Sequence, residues 1–170
     1  MDAQQLNEAL EAAHAHAYAW ALSCCRGDAD LAQEVLHDVY ATVLEGRARF
    51  GGQSAFTTWL FAVIRFTASK RRRREWLTRF LFVAPELGAH STNGATPSDD
   101  AEAESRASRL RAALNELPAR QREVLHLVFY ENLTVEASAG VMGVSVGSAR
   151  THYARGKAKL AELIGDPETL

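Results

Sequence analysis

Apolar residues recur at intervals of three and four along most of the chain, which is the spacing of one face of an α-helix. The pattern is strongest from Phe56 to Arg74, a stretch without proline or glycine that ends in a basic run. One side of this helix is predicted to be buried, and its residues are Phe56, Trp59, Leu60, Val63, Ile64 and Thr67. The opposite side then carries Thr58, Phe61, Arg65, Ser69 and Arg72. An aromatic ring exposed beside guanidinium groups is typical of a surface that binds unstacked nucleic-acid bases.

A second interpretation of the same stretch needs no ligand. In it, Phe61 packs beneath a neighbouring helix, and the basic run from Lys70 to Arg74 is an ordinary solvated helix end. The two interpretations differ in the position of one ring, since only an outward Phe61 can stack on a base. The burial of Phe61 therefore separates them.

Residues 46–54 form a polar loop in front of this helix. Three glycines interrupt the helical pattern there, and Ser54 is placed to cap the helix that follows. A loop of this composition beside an aromatic and basic helix is suited to hold an extruded base. The candidate DNA-binding residues in it are Arg49, Gln53 and Ser54.

An earlier helix is predicted between a cap signal at Asp28 and its end near Glu45. Its packed stripe consists of Leu31, Val35, Val39 and Val43. The other face presents a row of mostly acidic residues, namely Asp30, Glu34, His37, Asp38, Ala41 and Glu45. Such a row is either a solvated surface or a docking site for a basic helix of a partner.

The first segment, about residues 3–25, is predicted to be an alanine-rich packing helix with Cys24 on its apolar side. His14 and His16 lie two apart and Cys24 and Cys25 are adjacent, so neither pair converges on one point of a helix surface. The sequence contains no nucleophile–base arrangement, paired-carboxylate motif or phosphate-binding glycine loop. It therefore predicts no metal site, no cofactor and no enzymatic activity.

The helical pattern ends at about Pro85 and resumes at about Glu104. The residues between are small or polar, with almost no large apolar side chain, which is the composition of a flexible linker. A segment of this length is uncommon inside one compact domain. We therefore predict an all-α fold with a helical domain over residues 1–84, a flexible linker over residues 85–104 and a second helical domain over residues 105–170.

The second domain ends in a predicted helix-turn-helix. Thr134 caps a short helix to Met142, a turn follows at residues 143–145, and a last helix begins at Val146. The outward side of that last helix presents Ser148, Arg150, Thr151, His152, Arg155 and Lys159. Short polar side chains can reach base edges, while Arg and Lys neutralise phosphates. A helical hairpin without DNA-binding function is the alternative.

Composition adds a strong separation of charge to this pattern. The 170 residues are 47% apolar and 24% charged, and the net charge is only −2. Residues 1–50 nevertheless hold three Arg against eight acids, whereas residues 51–84 hold seven basic groups against one acid. Residues 117–160 are basic again, which suggests two contacts with a polyanion. Short apolar runs and two adjacent cysteines predict a cytoplasmic protein without a signal peptide, a membrane span or a disulfide framework.

These segments resemble a known family, the extracytoplasmic-function (ECF) sigma factors of bacterial RNA polymerase. Residues 28–36, which read DADLAQEVL, resemble the region-two helix that docks on the polymerase clamp. Residues 56–65, FTTWLFAVIR, resemble the adjoining melting segment. Residues 117–125 and 144–150, LPARQREVL and VSVGSAR, resemble region four, which reads the minus-thirty-five element. One departure is Ser138, which stands where the family usually has Ile, followed by Gly140 inside the same helix.

The resemblance implies a protein that catalyses no chemistry and gives RNA polymerase its promoter specificity. The implied partners are core RNA polymerase, through the clamp coiled coil of its β′ subunit and through its β subunit, promoter DNA and an anti-sigma factor. The mostly acidic row on the helix between Asp28 and Glu45 would bind polymerase. Phe61, Arg65, Ser69 and Arg72, with the 46–54 loop, would bind and melt the minus-ten element. The alternative is a stand-alone helix-turn-helix regulator with an N-terminal interaction domain.

Overall fold

The computed structural model describes the backbone of residues 1–82 and 101–165 and, within these ranges, the side chains of residues 1–77 and 108–165. The described residues form seven α-helices and no strand, so the predicted all-α fold is confirmed. The helices are α1 (Ala3–Cys24), α2 (Ala29–Leu44), α3 (Phe56–Phe82), α4 (Ala101–Glu116), α5 (Ala119–Phe129), α6 (Val135–Met142) and α7 (Val146–Ile164).

The chain divides into two compact units, Met1–His90 and Ser91–Leu170. Residues 85–100 of the predicted linker lie outside the described residues. Its last four residues are helical, because α4 already begins at Ala101. The basic run and the apolar residues after it belong to one helix, since α3 continues without a break to Phe82.

The first unit is built from α1, α2 and α3 packed on one another. Asp2 caps α1 by accepting a hydrogen bond from the Gln5 amide at 2.9 Å, and Asp28 caps α2 through the Leu31 amide at 3.0 Å. The core of the unit combines small and branched residues of the three helices with two large buried rings, those of Trp20 and Phe61. Small residues on α1 allow the helices to approach closely.

The buried side of α3 differs from the predicted one by a rotation of the helix. Leu60 and Ile64 are buried as expected, but Trp59, Val63 and Thr67 are only half-buried. Phe61, predicted to face solvent, is 2% exposed, so that prediction is wrong. The indole Nε1 of Trp20 donates a hydrogen bond to the Phe61 carbonyl at 2.9 Å, and the two rings lie 6.1 Å apart.

The second unit contains the helix-turn-helix at the predicted positions. Thr134 caps α6 through the Ala137 amide at 3.1 Å, and Ser145 caps α7 through the Ser148 amide at 3.1 Å. Gly143 ends α6 with φ of 63°, a left-handed conformation that glycine adopts without strain. The unusual Ser138 is fully buried, and its hydroxyl donates to the Thr134 carbonyl at 2.9 Å, so its polar atom is satisfied.

Two glycines of this unit are expected to respond oppositely to substitution. A Cβ at buried Gly156 would lie 3.2 Å from atoms of Gln121 and Leu125, whereas a Cβ at exposed Gly140 would meet nothing within 4 Å. We expect Gly156→Val to lower the free energy of unfolding by about 2 kcal/mol through overpacking. Gly140→Ala, its matched control, should raise it by about 0.5–1 kcal/mol through helix propensity. Urea unfolding of the full chain measures both, and a stabilising Gly156→Val would contradict the close packing of α5 and α7.

Candidate nucleic-acid interface

A groove of about 970 Å³ runs along the first unit between α2, the loop after it and α3. Its apolar wall comes from α3 and includes Trp59, Val63 and the ring of Phe66. The cations that line it are Arg47, Lys70, Arg71 and Arg74, and the acids are Asp38 and Glu75. Apolar and aromatic side chains among cations are the combination that binds single-stranded nucleic acid.

Phe66 is the aromatic residue that the sequence interpretation missed. Its side chain is 68% exposed, and Lys70 and Arg74 follow it at four-residue intervals on the same side of α3. The predicted combination of a ring with basic groups is therefore present on α3, but on a stripe rotated from the one expected. The four-residue spacing of Phe66, Lys70 and Arg74 is visible in the sequence, but only the burial of Phe61 shows that this stripe faces outward.

The α3 residues predicted to contact DNA are largely drawn into the protein. Phe61 is in the core, and Arg65 and Ser69 are half-buried. Arg72 is also half-buried, and its Nη1 donates to the Cys24 carbonyl at 2.8 Å, which ties α3 to the end of α1. This contact explains why a guanidinium of the basic run points inward.

The three loop residues predicted to contact DNA lie at the surface. Arg49, Gln53 and Ser54 are exposed. Ser54 was predicted to cap α3, but α3 starts two residues later, at Phe56, and the Ser54 hydroxyl instead donates to the Ala55 carbonyl at 3.2 Å. Phe50 connects the loop to the helix, because its ring lies 5.5 Å from the rings of both Phe56 and Trp59.

The acidic row of α2 is at the surface but partly neutralised by the chain itself. Arg71 Nε donates to Asp38 Oδ2 at 2.8 Å, and its Nη1 contacts Glu34 Oε2. Glu45 pairs with Arg47, with Nη2 and Oε2 2.5 Å apart. Asp30 and His37 are exposed, and Ala41 is half-buried at the edge of the groove.

The outward residues of α7 lie where the helix-turn-helix prediction put them. Ser148, Arg150, Thr151, Arg155 and Lys159 are exposed, while His152 is half-buried. The Thr151 hydroxyl donates to the Gly147 carbonyl at 3.0 Å, and Lys159 pairs with Glu162 at 3.0 Å.

Arg150 is held by a carboxylate from the preceding helix. Its Nη2 lies 2.7 Å from Oε1 of Glu136 on α6. This hydrogen bond lowers the pKa of the Glu136 carboxyl. The pair leaves the other guanidinium nitrogens of Arg150 available to a ligand, since an arginine has five N–H donors.

The Cys25 thiol is expected to be unreactive in the native chain. Burial raises its pKa from 9.0 to about 11 and outweighs the opposing charge of Arg72. At pH 8 the thiolate, which is the nucleophile, should be about 100-fold scarcer than in an unshifted thiol. Alkylation by iodoacetamide, followed by mass spectrometry, should be slow in buffer and fast in guanidinium chloride. Rapid native modification of Cys25 would contradict the buried environment.

The part of the chain that the structure describes contains no group of three or more His, Cys, Asp or Glu side chains placed to hold a metal ion. His14, one of the residues considered for such a site, instead hydrogen-bonds through Nδ1 to the Tyr40 hydroxyl at 2.9 Å. Among the described helices, none combines the length and the hydropathy needed to cross a membrane.

Two family models match the chain, one in each unit. The model of sigma-70 region 2 matches residues 10–78, and the model of sigma-70 region 4 matches residues 107–160. The first match covers the whole groove, and the second covers the helix-turn-helix up to Leu160.

Curated relatives and solved structures agree with these matches. The chain is 30% identical to the ECF RNA polymerase sigma factor EcfG of Rhodopseudomonas palustris, over 81% of this chain and 74% of that protein. It is 28% identical to the RNA polymerase sigma factor CarQ of Myxococcus xanthus, over 98% and 93% of the two chains. Its fold is similar to that of the sigma factor RpoE from Bartonella quintana, crystallised with the anti-sigma factor NepR. That comparison has a TM-score of 0.73 and 21% identity, and covers 95% of this chain and 98% of the other.

The comparisons decide between the two functions that the sequence left open. In a stand-alone regulator the first unit would be an unrelated interaction domain, whereas here it matches a sigma-factor region and the relatives align across both units. The chain therefore belongs to the ECF sigma factors, which direct promoter-specific transcription by RNA polymerase.

Proposed function

We propose that the groove of the first unit captures unstacked bases of the promoter while α7 reads duplex DNA upstream. The observation that carries this proposal is the exposed ring of Phe66 beside Lys70 and Arg74, on a wall that also includes Trp59. Stacking of one base on an aromatic side chain contributes about 1–3 kcal/mol. Unpairing a base costs a few kcal/mol, so a few captured bases can offset strand opening without nucleotide hydrolysis.

The bases would be those of the non-template strand in the minus-ten element. The exposed loop residues Arg49, Gln53 and Ser54 lie directly before α3 and are available to an extruded base. The aromatic contacts of Phe50 support this role, because they fix the loop against the first turn of α3. Arg65, Ser69 and Arg72 are assigned to supporting this surface from within rather than to stacking.

The exposed face of α2 is assigned to core RNA polymerase. Asp30, Glu34 and His37 are exposed and, with Asp38, Ala41 and Glu45, would receive the basic coiled coil of the β′ clamp. Charge complementarity of this kind contributes mainly to the rate and specificity of association. A further contact with the β subunit is expected from the family.

The outward side of α7 is assigned to the minus-thirty-five element. Ser148 and Thr151 lie within the first two turns of the helix, where a recognition helix contacts base edges. Arg155 and Lys159 follow at four-residue intervals and would neutralise phosphates, with His152 at the border of the surface. Glu136 would orient Arg150 toward the bound DNA duplex.

An anti-sigma factor is the proposed inhibitor, and the cytoplasm is the proposed location. The similarity to the structure of RpoE with NepR supports this partner class. An inhibitor that covers the groove and the outward side of α7 would prevent both DNA contacts. A cytoplasmic location is supported by the partners of a sigma factor, because polymerase and DNA are both in the bacterial cytoplasm.

In vitro transcription with purified core polymerase on a genomic template library tests the proposal. The chain should yield promoter-specific transcripts only when core polymerase is present. Arg155→Ala should reduce them about tenfold or more at physiological salt, because a phosphate contact is lost. Arg111→Ala, at an exposed arginine on α4 that is assigned to neither DNA nor polymerase, is the matched control and should change little. Tight promoter binding by the chain alone, or absence of specific transcripts, would refute the proposed function.

A further inference from the structure

Arg71 connects the acidic row of α2 with the groove. Its guanidinium contacts Glu34 and Asp38, which are four residues apart and therefore one turn apart on α2. Arg71 and Asp38 also both line the groove. One side chain thus belongs to the surface assigned to polymerase and to the surface assigned to DNA.

Because of this contact, part of the acidic row is already paired with a cation in the free protein. Two of its carboxylates, Glu34 and Asp38, are neutralised by Arg71, whose side chain is 31% exposed. A basic partner that docks on these carboxylates has to compete with Arg71 for the same oxygens. Partner cations that pair closely with the same oxygens, Asp38 Oδ2 and Glu34 Oε2, would repel the Arg71 guanidinium and weaken its hold on them.

The displaced Arg71 guanidinium could instead face the groove. Arg71 lines the groove together with Lys70 and Arg74, so a released Arg71 would add a third cation to the phosphate-binding stripe. Each added phosphate contact strengthens binding to nucleic acid in a salt-dependent way. Binding of polymerase at α2 would then strengthen binding of DNA at α3, and the reverse, because such coupling is reciprocal.

We infer that Arg71 is exchanged between two ligands: Glu34 and Asp38 hold it in the free protein, and DNA phosphate takes it when polymerase occupies these two carboxylates. The inference rests on the proposed function of both surfaces. It gives the chain a built-in restraint, because the isolated protein binds DNA with one cation fewer than the polymerase-bound protein. Arg71 is in this sense a positioning residue that couples the two binding events.

Removal of Arg71 gives the first test. Arg71→Ala should tighten binding of the full chain to purified core polymerase about three- to tenfold, because the carboxylates no longer have to be vacated. The resulting holoenzyme should bind a fluorescent single-stranded DNA of mixed sequence more weakly than wild-type holoenzyme. Arg73→Ala is the matched control from the same basic run, exposed and outside the groove, and should leave binding to core unchanged.

The converse test releases Arg71 without removing it. Glu34→Gln with Asp38→Asn should increase binding of the same single-stranded DNA by the free chain about three- to tenfold. The increase should disappear when Arg71→Ala is added, since the effect acts through that guanidinium. An increase that persists in the triple variant would reflect only the lost negative charge and would overturn the inference.

A purely structural role of Arg71 predicts different results. If Arg71 only joins α2 to α3, Arg71→Ala should weaken binding to core together with thermal stability, and that outcome overturns the exchange. Should Arg71→Ala fail to fold, Arg71→Lys replaces it, since lysine keeps the charge but lacks the fork that reaches two carboxylates. Arg71→Lys should also tighten core binding, and its holoenzyme should retain DNA binding.

Binding of the wild-type chain to core polymerase distinguishes a failure of the proposed function from a failure of the Arg71 exchange. If the wild-type chain does not bind core polymerase, the proposed function is refuted. If it binds core and directs specific transcription while neither Arg71→Ala nor Arg71→Lys tightens binding, only the exchange of Arg71 is overturned.

Discussion

Replacement of Phe61 by alanine is expected to lower the free energy of unfolding of the first unit by about 3–5 kcal/mol. The ring is 2% exposed and lies against Trp20, so its loss leaves a cavity between α1 and α3. Chemical denaturation followed by circular dichroism measures the change. The expected loss is a large share of the total stability of a small domain, so partial unfolding at 37 °C should also be visible.

Phe66→Ala is the control for this experiment. Its ring is 68% exposed, so the same truncation should change the free energy of unfolding by less than about 0.5 kcal/mol. Comparable losses at both positions would contradict the described orientation of α3. The comparison directly tests which phenylalanine belongs to the core.

Among the variants described, Phe66→Ala is expected to reduce promoter opening the most. Loss of one stacking contact of about 1–3 kcal/mol should reduce open-complex formation by a factor of about 5 to 150 at limiting polymerase. Phe66→Tyr and Phe66→Trp keep a ring at the site and should retain most of the activity. Transcription from linear promoter templates measures the effect.

A template with a preformed bubble separates melting from other defects. If Phe66 acts by capturing opened bases, a mismatched minus-ten region, which needs no strand separation, should restore part of the lost transcription. Binding of the Phe66→Ala chain to core polymerase should remain normal. Wild-type activity of Phe66→Ala on a duplex promoter would exclude this ring from the proposed interface.

The helix-turn-helix could be predicted from the sequence because its signals are local. Thr134, Gly143 and Ser145 each determine a cap or a turn through atoms within a few residues of themselves. No distant contact is needed to place the start of α7. Its outward residues follow from the helical period alone.

The orientation of α3 could not be predicted in the same way, because both of its sides carry rings and aliphatic residues. From the sequence alone, either Phe61 or Phe66 could be the buried ring, because the choice depends on packing against α1. The deciding contacts are distant in sequence, including the hydrogen bond from Trp20 to the Phe61 carbonyl. The pairing of Arg71 with Glu34 and Asp38 likewise joins residues more than thirty positions apart, which a helical pattern does not reveal.

In the second unit, the residues that maintain the fold and the residues proposed to contact DNA are different ones. Six consecutive residues of α5, Arg122 to Leu127, are buried, so this helix is enclosed around its circumference. The exposed side chains of α7 that face away from it, such as Ser148 and Arg155, contribute little to that packing. Promoter preference can therefore diverge during evolution, or be redirected by design, through a few exchanges on α7 while the scaffold beneath stays the same.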